Sequence, residues 1–199
     1  MRVAVMGCGK MAGAITARWV QTGVVPAADV MAVEASEARA AAVSAELGIA
    51  CGVNAGAALT KADVVLLGIK PQQAAAVLPS WSEYLKPGAA VVSMLAGTPA
   101  ARVQELLAAD VHVVRIMPNT PARIGLGCTA VAWPDALDSA RRGTLRPLFD
   151  ALGAVVELAE DRIDAFTSIA GSGPAYVFLF LEALTTAATV QGFDVETAR

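Results

Sequence analysis

The sequence predicts an α/β protein whose N-terminal part is a Rossmann-type doubly wound sheet. Its 199 residues are 56% hydrophobic and 17% charged, which excludes a disordered chain. Short, wholly apolar runs alternate with segments that favour helices, as the buried strands of a parallel sheet do. These predicted strands are Val3–Met6, Val30–Val33, Val64–Ile69, Ala89–Leu95 and Val111–Ile116.

Helices are predicted between these strands. Met11–Val20 follows a glycine turn and contains no proline. Ser36 is suited to cap an alanine-rich helix that extends to Leu47. A third helical segment covers Pro99–Ala108. The alternation of strand and helix predicts helices on both faces of the sheet.

The pattern is weaker after Pro121. Cys128–Trp133 and Ala154–Leu158 are predicted as further strands, with a helix over Asp135–Leu152 that places Asp135 just inside its start. Gly171–Pro174 is interpreted as the end of one helix and the start of another, because proline suits a first helical turn.

Charge and composition exclude several classes of function. The net charge is −3, so the chain lacks the basic surface needed to bind nucleic acid or anionic lipid. Cys8, Cys51, Cys128 and the lone His112 are too few and scattered for a disulfide framework or a metal site. The N-terminus is too short for a signal peptide. We therefore predict a cytoplasmic protein without metal.

The segment Ala175–Val190 is apolar on nearly every side, and Glu182 is its only charge. A membrane span is one interpretation, but the uninterrupted run is shorter than about 18 residues. A helix that is apolar all round usually lies in a larger core or an interface. We expect its cover to come from a partner chain or from further sequence.

The segment Gly7-Cys8-Gly9-Lys10-Met11-Ala12 matches the dinucleotide-binding pattern. Gly7 would form the tight turn, Gly9 would let a pyrophosphate approach the backbone, and Ala12 would allow close packing of helix on strand. The segment follows a predicted strand, opens a helix and precedes a second strand that ends in an acid. The alternative is a glycine turn with no ligand.

Glu34 stands where such domains read the adenosine ribose. A carboxylate there accepts hydrogen bonds from ribose hydroxyls and repels a 2′-phosphate, which favours NADH over NADPH. Arg39 is placed to offset that repulsion, and the alternative is an exposed acid before a helix.

Other candidates follow the predicted strands, at the edge of the sheet where ligands bind. Lys70 is a candidate proton donor, phosphate contact or solvated lysine, and Asn54 would bond a ribose or stabilise a turn. Asn119 and Thr120 lie in a rigid loop between two prolines that suits either a site or a structural turn. His112 begins a strand at the far edge and is interpreted as structural.

Four segments together resemble one family, the pyrroline-5-carboxylate reductases. They are MGCGKMAGAI from Met6, GIKPQ at Gly68–Gln72, RIMPNTPARIGLG at Arg115–Gly127 and AGSGPAYVF at Ala170–Phe178. The first is generic to nucleotide-binding folds, whereas MPNTP combined with GSGPAY is specific.

The resemblance implies an NAD(P)-binding Rossmann domain over residues 1–160. Residues 161–199 would begin an all-helical domain for dimerisation and substrate binding, through which the chain self-associates as a homodimer or larger. It also implies reduction of 1-pyrroline-5-carboxylate to L-proline by NADPH or NADH. The implied cofactor contacts are Met6, Gly7, Cys8, Gly9, Lys10, Met11, Glu34, Asn54, Gly68, Ile69, Lys70, Pro71, Met94, Leu95 and Ala96.

The chain departs from the family at its end, where the family's Pro-Gly-Gly-Thr substrate segment is absent. We therefore interpret it as C-terminally truncated and leave its catalytic residues unassigned, with Lys70 and Asn119 as weak candidates. One alternative is a β-hydroxyacid dehydrogenase, although Asp161–Arg199 lacks the lysine that such an enzyme needs there. The other is a nicotinamide-binding module without turnover.

Overall fold

The computed structural model describes residues 1–199 and contains one eight-stranded sheet of spatial order β3-β2-β1-β4-β5-β6-β7-β8. This order gives the two halves of a doubly wound sheet, with β1 and β4 adjacent at its centre. The strands are Val3–Met6 (β1), Val30–Val33 (β2), Ala50–Gly52 (β3), Val64–Leu67 (β4), Ala89–Ser93 (β5), Val111–Met117 (β6), Gly127–Ala132 (β7) and Gly153–Glu157 (β8).

Helices connect the strands and cover both faces of the sheet. They are Lys10–Gln21 (α1), Glu37–Leu47 (α2), Ala55–Leu59 (α3), Ala74–Val77 (α4), Ala100–Leu107 (α5), Ser139–Asp150 (α6), Ile163–Phe166 (α7) and Gly173–Val190 (α8). Short 3₁₀ turns add to these, among them Pro71–Gln73 and Thr120–Ile124.

The register of the parallel strands brings their carboxyl ends to one edge. Met6 lies opposite both Val33 and Leu67, and Leu67 lies opposite Ser93. Strand β7 reverses direction and pairs antiparallel with β6, whereas β8 runs parallel to β7. The segments that follow β1, β2, β4 and β5 therefore meet along one edge, as the predicted fold class requires.

Side chains of each central strand alternate between two cores. Val3 and Val5 face one core, which also contains Trp19 of α1, and Ala4 and Met6 face the other. Trp19 donates its Nε1–H to the carbonyl of Leu148, 2.6 Å away in α6. Burial on both sides explains why these strands are wholly apolar.

Most predicted elements are confirmed, and two details are corrected. The cap on α2 is present, with the Ser36 hydroxyl accepting from the Arg39 N–H. Helix α6 does not contain Asp135, because Asp138 caps it by accepting from the Arg141 N–H at 2.8 Å. The short strand β3 was not predicted, since three residues give too little periodicity.

Gly171–Pro174 lies where the π turn Thr167–Gly171 ends and helix α8 begins at Gly173, with Pro174 in the first turn of α8 as predicted. The helical segments from Glu160 to Val190 follow one another without an intervening loop and are together called here the C-terminal helix. It passes through a π turn at Thr167–Gly171, where the Ser172 N–H donates to the Thr167 carbonyl at 2.8 Å. The wider turn accommodates Pro174 without a break, because proline is tolerated where the normal hydrogen-bond ladder is already interrupted.

The last 18 residues of the C-terminal helix, helix α8, contain no buried residue. Its large apolar side chains are at least half exposed, namely Tyr176, Val177, Phe178, Leu179, Phe180, Leu181, Leu184 and Val190. By length and composition alone this helix also meets the requirement for a membrane span. A contiguous apolar surface of this kind is typical of an interaction site.

Candidate functional site

The turn after β1 is closed on one side and open on the other. Gly7 has φ +84°, and a Cβ on it would lie 3.2 Å from the carbonyl of Gly68. A Cβ on Gly68 would collide with the Gly7 carbonyl and approach Ala12 Cβ to 2.6 Å. A Cβ on Gly9, by contrast, would have no neighbour within 4 Å. The turn is thus packed against β4 and leaves its outer side free.

Helix α1 begins at this turn without a side-chain cap. Gly9 is its N-cap residue, and no acidic side chain lies in its first turn. The unsatisfied N–H groups and the positive end of the helix dipole favour an anion at this position. An open glycine turn and an uncapped helix fit the pyrophosphate of a dinucleotide.

Glu34 reaches back from the end of β2 to the glycine turn. Its Oε1 accepts a hydrogen bond from the Cys8 N–H at 2.9 Å and lies 3.6 Å from Arg39 Nη2. The Glu34 side chain is 12% exposed and that of Arg39 is 55% exposed. The carboxylate is therefore held by the protein, while the guanidinium beside it faces solvent.

A cavity of about 490 Å³ lies between α1 and α2 and opens beside Gly9. Lys10, Arg39 and Arg123 line it, and Glu46 is the only carboxylate in its wall. This excess of positive charge favours an anionic ligand. Arg123 was not predicted, because it comes from the 3₁₀ turn after β6 and no sequence signal links it to the glycine turn.

Asn54 and Lys70 both lie just beyond strand ends at this edge. The Asn54 Oδ1 accepts from the Ala57 N–H at 3.1 Å, so it caps helix α3 as the structural alternative proposed. Lys70 is exposed, and its backbone N–H donates to Gln73 Oε1 at 2.9 Å. Its ammonium makes no hydrogen bond or ion pair in the structure and remains free for a ligand.

The segments after β4 and β5 complete the edge. Ile69 and Met94 are half-buried and Ala96 is exposed, but the Leu95 side chain is buried in the core. Only the backbone of Leu95 is therefore available to a ligand.

Asn119 lies at the end of β6 and is 8% exposed. Its Oδ1 accepts from the Cys128 N–H at 2.9 Å, and its Nδ2 donates to the Ala170 carbonyl at 3.0 Å. Arg115, also on β6 and 3% exposed, places Nη2 2.7 Å from Asp164 Oδ1. Both side chains hold the C-terminal helix. Sequence reasoning did not predict the Arg115 ion pair.

Cys8, although it lies in the glycine turn, is not an activated thiol. Burial raises its pKa to about 11, and the neighbouring Cys51 and Glu34 act in the same direction. A thiol of this kind stays protonated at neutral pH and is a poor nucleophile. The site is therefore suited to binding and orienting a ligand rather than to covalent catalysis.

Comparison with known proteins decides the family. Residues 2–97 match the family model for NADP oxidoreductase coenzyme F420-dependent, and residues 160–199 match that for pyrroline-5-carboxylate reductase dimerisation. The pyrroline-5-carboxylate reductase of Vibrio alginolyticus is 36% identical over 199 residues, which are all of this chain and 73% of that protein. The chain belongs to the pyrroline-5-carboxylate reductase family. The reductase of Pseudomonas aeruginosa is 35% identical, over 99% of this chain and 72% of that protein.

Solved structures of the pyrroline-5-carboxylate reductase family have the same fold. The Streptococcus pyogenes enzyme matches with a TM-score of 0.90 and 31% identity, covering 100% of this chain and 73% of that one. The reductase from Coxiella burnetii gives a TM-score of 0.88 at 28% identity, covering 99% and 73%. These matches confirm both the fold class and the resemblance carried by the four segments.

Proposed function

We propose that this chain reduces 1-pyrroline-5-carboxylate to L-proline with a hydride from NADPH or NADH. The observation that carries the proposal is 36% identity over the whole chain to a reductase of that name. The open glycine turn and the uncapped helix α1 support it, because they are the parts that a dinucleotide needs.

The cofactor is proposed to lie along the carboxyl edge of the sheet. The turn Met6–Met11 holds the diphosphate, with the N–H groups of α1 as donors. Glu34 and Asn54 lie beside the adenosine ribose, and Arg39 is available to a 2′-phosphate. The segments Gly68–Pro71 and Met94–Ala96 contact the cofactor where β4 and β5 end.

When bound, the dihydronicotinamide supplies the hydride. The chain's own task is to hold the reacting carbon of the imine about 3–3.5 Å from the donor, since correct placement removes much of the barrier. An iminium nitrogen already carries positive charge, so little proton transfer is needed in the transition state. Lys70 is assigned only to an anion contact, because its ammonium is exposed and makes no hydrogen bond or ion pair in the structure.

The chain is proposed to comprise a nucleotide-binding domain, residues 1–160, and part of a dimerisation domain, residues 161–199. The exposed apolar surface of helix α8 and the match of residues 160–199 to the dimerisation model support this division. In this proposal a second copy of the chain covers helix α8. The protein then works in the cytoplasm and not in a membrane.

The test is an assay of purified protein with 1-pyrroline-5-carboxylate and cofactor deuterated at the transferring position. The proposal predicts proline with one deuterium at the former imine carbon. Gly7→Val, which places a β-branched side chain at a positive φ, serves as the control that closes the turn. Cofactor binding without proline would instead establish a nicotinamide-binding module, and oxidation of a β-hydroxyacid alone would establish the dehydrogenase alternative.

A further inference from the structure

A single buried amide joins three separate parts of the chain. Asn119 follows β6, accepts from Cys128 in β7 at 2.9 Å and donates to the Ala170 carbonyl of the C-terminal helix at 3.0 Å. Asn119 is 8% exposed, and both of its hydrogen bonds are partly buried. The proposed function assigns no role to this arrangement.

The Ala170 carbonyl needs the Asn119 donor because the C-terminal helix cannot supply one from its own backbone. In a regular α-helix the Ala170 carbonyl would accept from the N–H of residue 174. Residue 174 is proline and has no N–H, so Ala170 loses that partner. A second carbonyl of the same turn, that of Ser168, accepts from the Tyr176 hydroxyl at 3.0 Å. The Asn119 side chain thus replaces the backbone donor that Pro174 cannot supply, and the Tyr176 hydroxyl adds a second side-chain contact to the same turn.

Strand β6 holds the C-terminal helix at a second point. The Arg115 guanidinium is 2.7 Å from Asp164, about one and a half turns before Ala170. Next to the Asn119 contact the helix lies close to the strand, since a Cβ on Gly171 would be 3.8 Å from Met117 Cγ. The Arg115 contact orients the first turns of the helix, and the Asn119 contact fixes the register where the π turn would otherwise permit a slip.

We propose that Asn119 is a positioning residue of the reductase, which fixes the register of the C-terminal helix on the edge of the sheet that holds the cofactor. Its effect on turnover rests on the proposed function. A slip of one residue moves helical side chains by about 1.5 Å along the axis and rotates them by about 100°. Errors of about 1 Å at a reacting centre lower rates by about a hundredfold.

Three variants separate this role from general stabilisation. Asn119→Asp keeps the acceptor for Cys128 and removes the donor to Ala170. Pro174→Ala returns a backbone N–H to position 174, which can donate to the Ala170 carbonyl. The double variant N119D/P174A therefore no longer needs the Asn119 side chain as the donor to that carbonyl. Gln104→Glu is the matched control, because its Nε2 also donates to a carbonyl, that of Ala109 at 2.6 Å, just beyond the end of helix α5.

The measurements are kcat with 1-pyrroline-5-carboxylate, the Kd for NADPH from fluorescence titration, and hydrogen exchange of the amides of residues 171–173 and 175–177. In N119D we expect kcat to fall about ten- to hundredfold while the cofactor Kd changes by less than about threefold. Exchange of these amides should rise by about tenfold, as loss of one hydrogen bond implies. The Gln104→Glu control should change neither kcat nor the amide exchange, and the double variant should return both to near their wild-type values.

The proposal is overturned if N119D retains wild-type kcat and exchange, or if the double variant recovers nothing. If N119D does not fold, folding of the double variant supports the proposal and its failure to fold overturns it. If the wild-type chain binds cofactor but makes no proline, the proposed function fails on its own. The exchange comparison among the same variants then still decides whether Asn119 sets the register.

Discussion

Replacement of Glu34 by serine should shift cofactor selectivity toward NADPH. For NADH the change removes hydrogen bonds from ribose hydroxyls to a charged acceptor, which are worth about 1.5–3 kcal/mol. For NADPH it removes repulsion between a carboxylate and the 2′-phosphate, about 1–3 kcal/mol per pair of unit charges at about 5 Å. It also releases Arg39, now 3.6 Å from the carboxylate, to pair with that phosphate.

Arg39 is more than half exposed, so solvent screening favours the lower ends of these ranges. We therefore expect the ratio of the two dissociation constants to change by about ten- to a hundredfold in favour of NADPH. The change also removes the acceptor of the Cys8 N–H, which should lower the free energy of unfolding by about 1 kcal/mol.

The assay is fluorescence titration of both reduced cofactors against Glu34→Ser and against wild type at one salt concentration. Glu37→Ser is the matched control, since it removes one exposed negative charge from the first turn of helix α2. The reasoning is refuted if the ratio of dissociation constants stays within about threefold of wild type, well below the expected shift, or if the control shifts it equally.

Three further changes test other parts of the structure. Gly68→Ala should lower the free energy of unfolding by about 1–3 kcal/mol or more, because the added Cβ would collide with Gly7 and Ala12. Gly9→Ala, whose Cβ would have no neighbour within 4 Å, should weaken cofactor binding but leave the free energy of unfolding, measured by urea titration, almost unchanged. Phe180→Asp should abolish the self-association of wild type in sedimentation velocity, and a dimer of unchanged strength would count against helix α8 as the interface. Stability should fall as pH rises from 9 to 11, because folded Cys8 keeps a proton that the unfolded chain releases; an equal fall in Cys8→Ala would contradict this.

The central strands and the glycine turn were predictable because each is encoded locally. Apolar runs such as Val3–Met6 are buried on both faces, and such strands have a composition that few loops share. Ser36 was predictable as a cap for the same reason, since its partner is only three residues away.

The π turn and its contacts were not predictable from local pattern. Pro174 shows only that a hydrogen bond is missing, whereas the donor that replaces it, Asn119, lies 51 residues from Ala170. Arg123 likewise reaches the cavity beside Gly9 from a distant turn. Contacts of this kind depend on how elements far apart in the sequence pack against one another, which local sequence patterns do not contain.

The most direct test of the account is a calorimetric titration of the folded chain with NADPH and with NADH. The account predicts one saturable site per chain, lost when Gly7→Val closes the turn. Absence of heat with both cofactors, from protein shown to be folded, would contradict it, because the proposed reduction would then have no source of hydride.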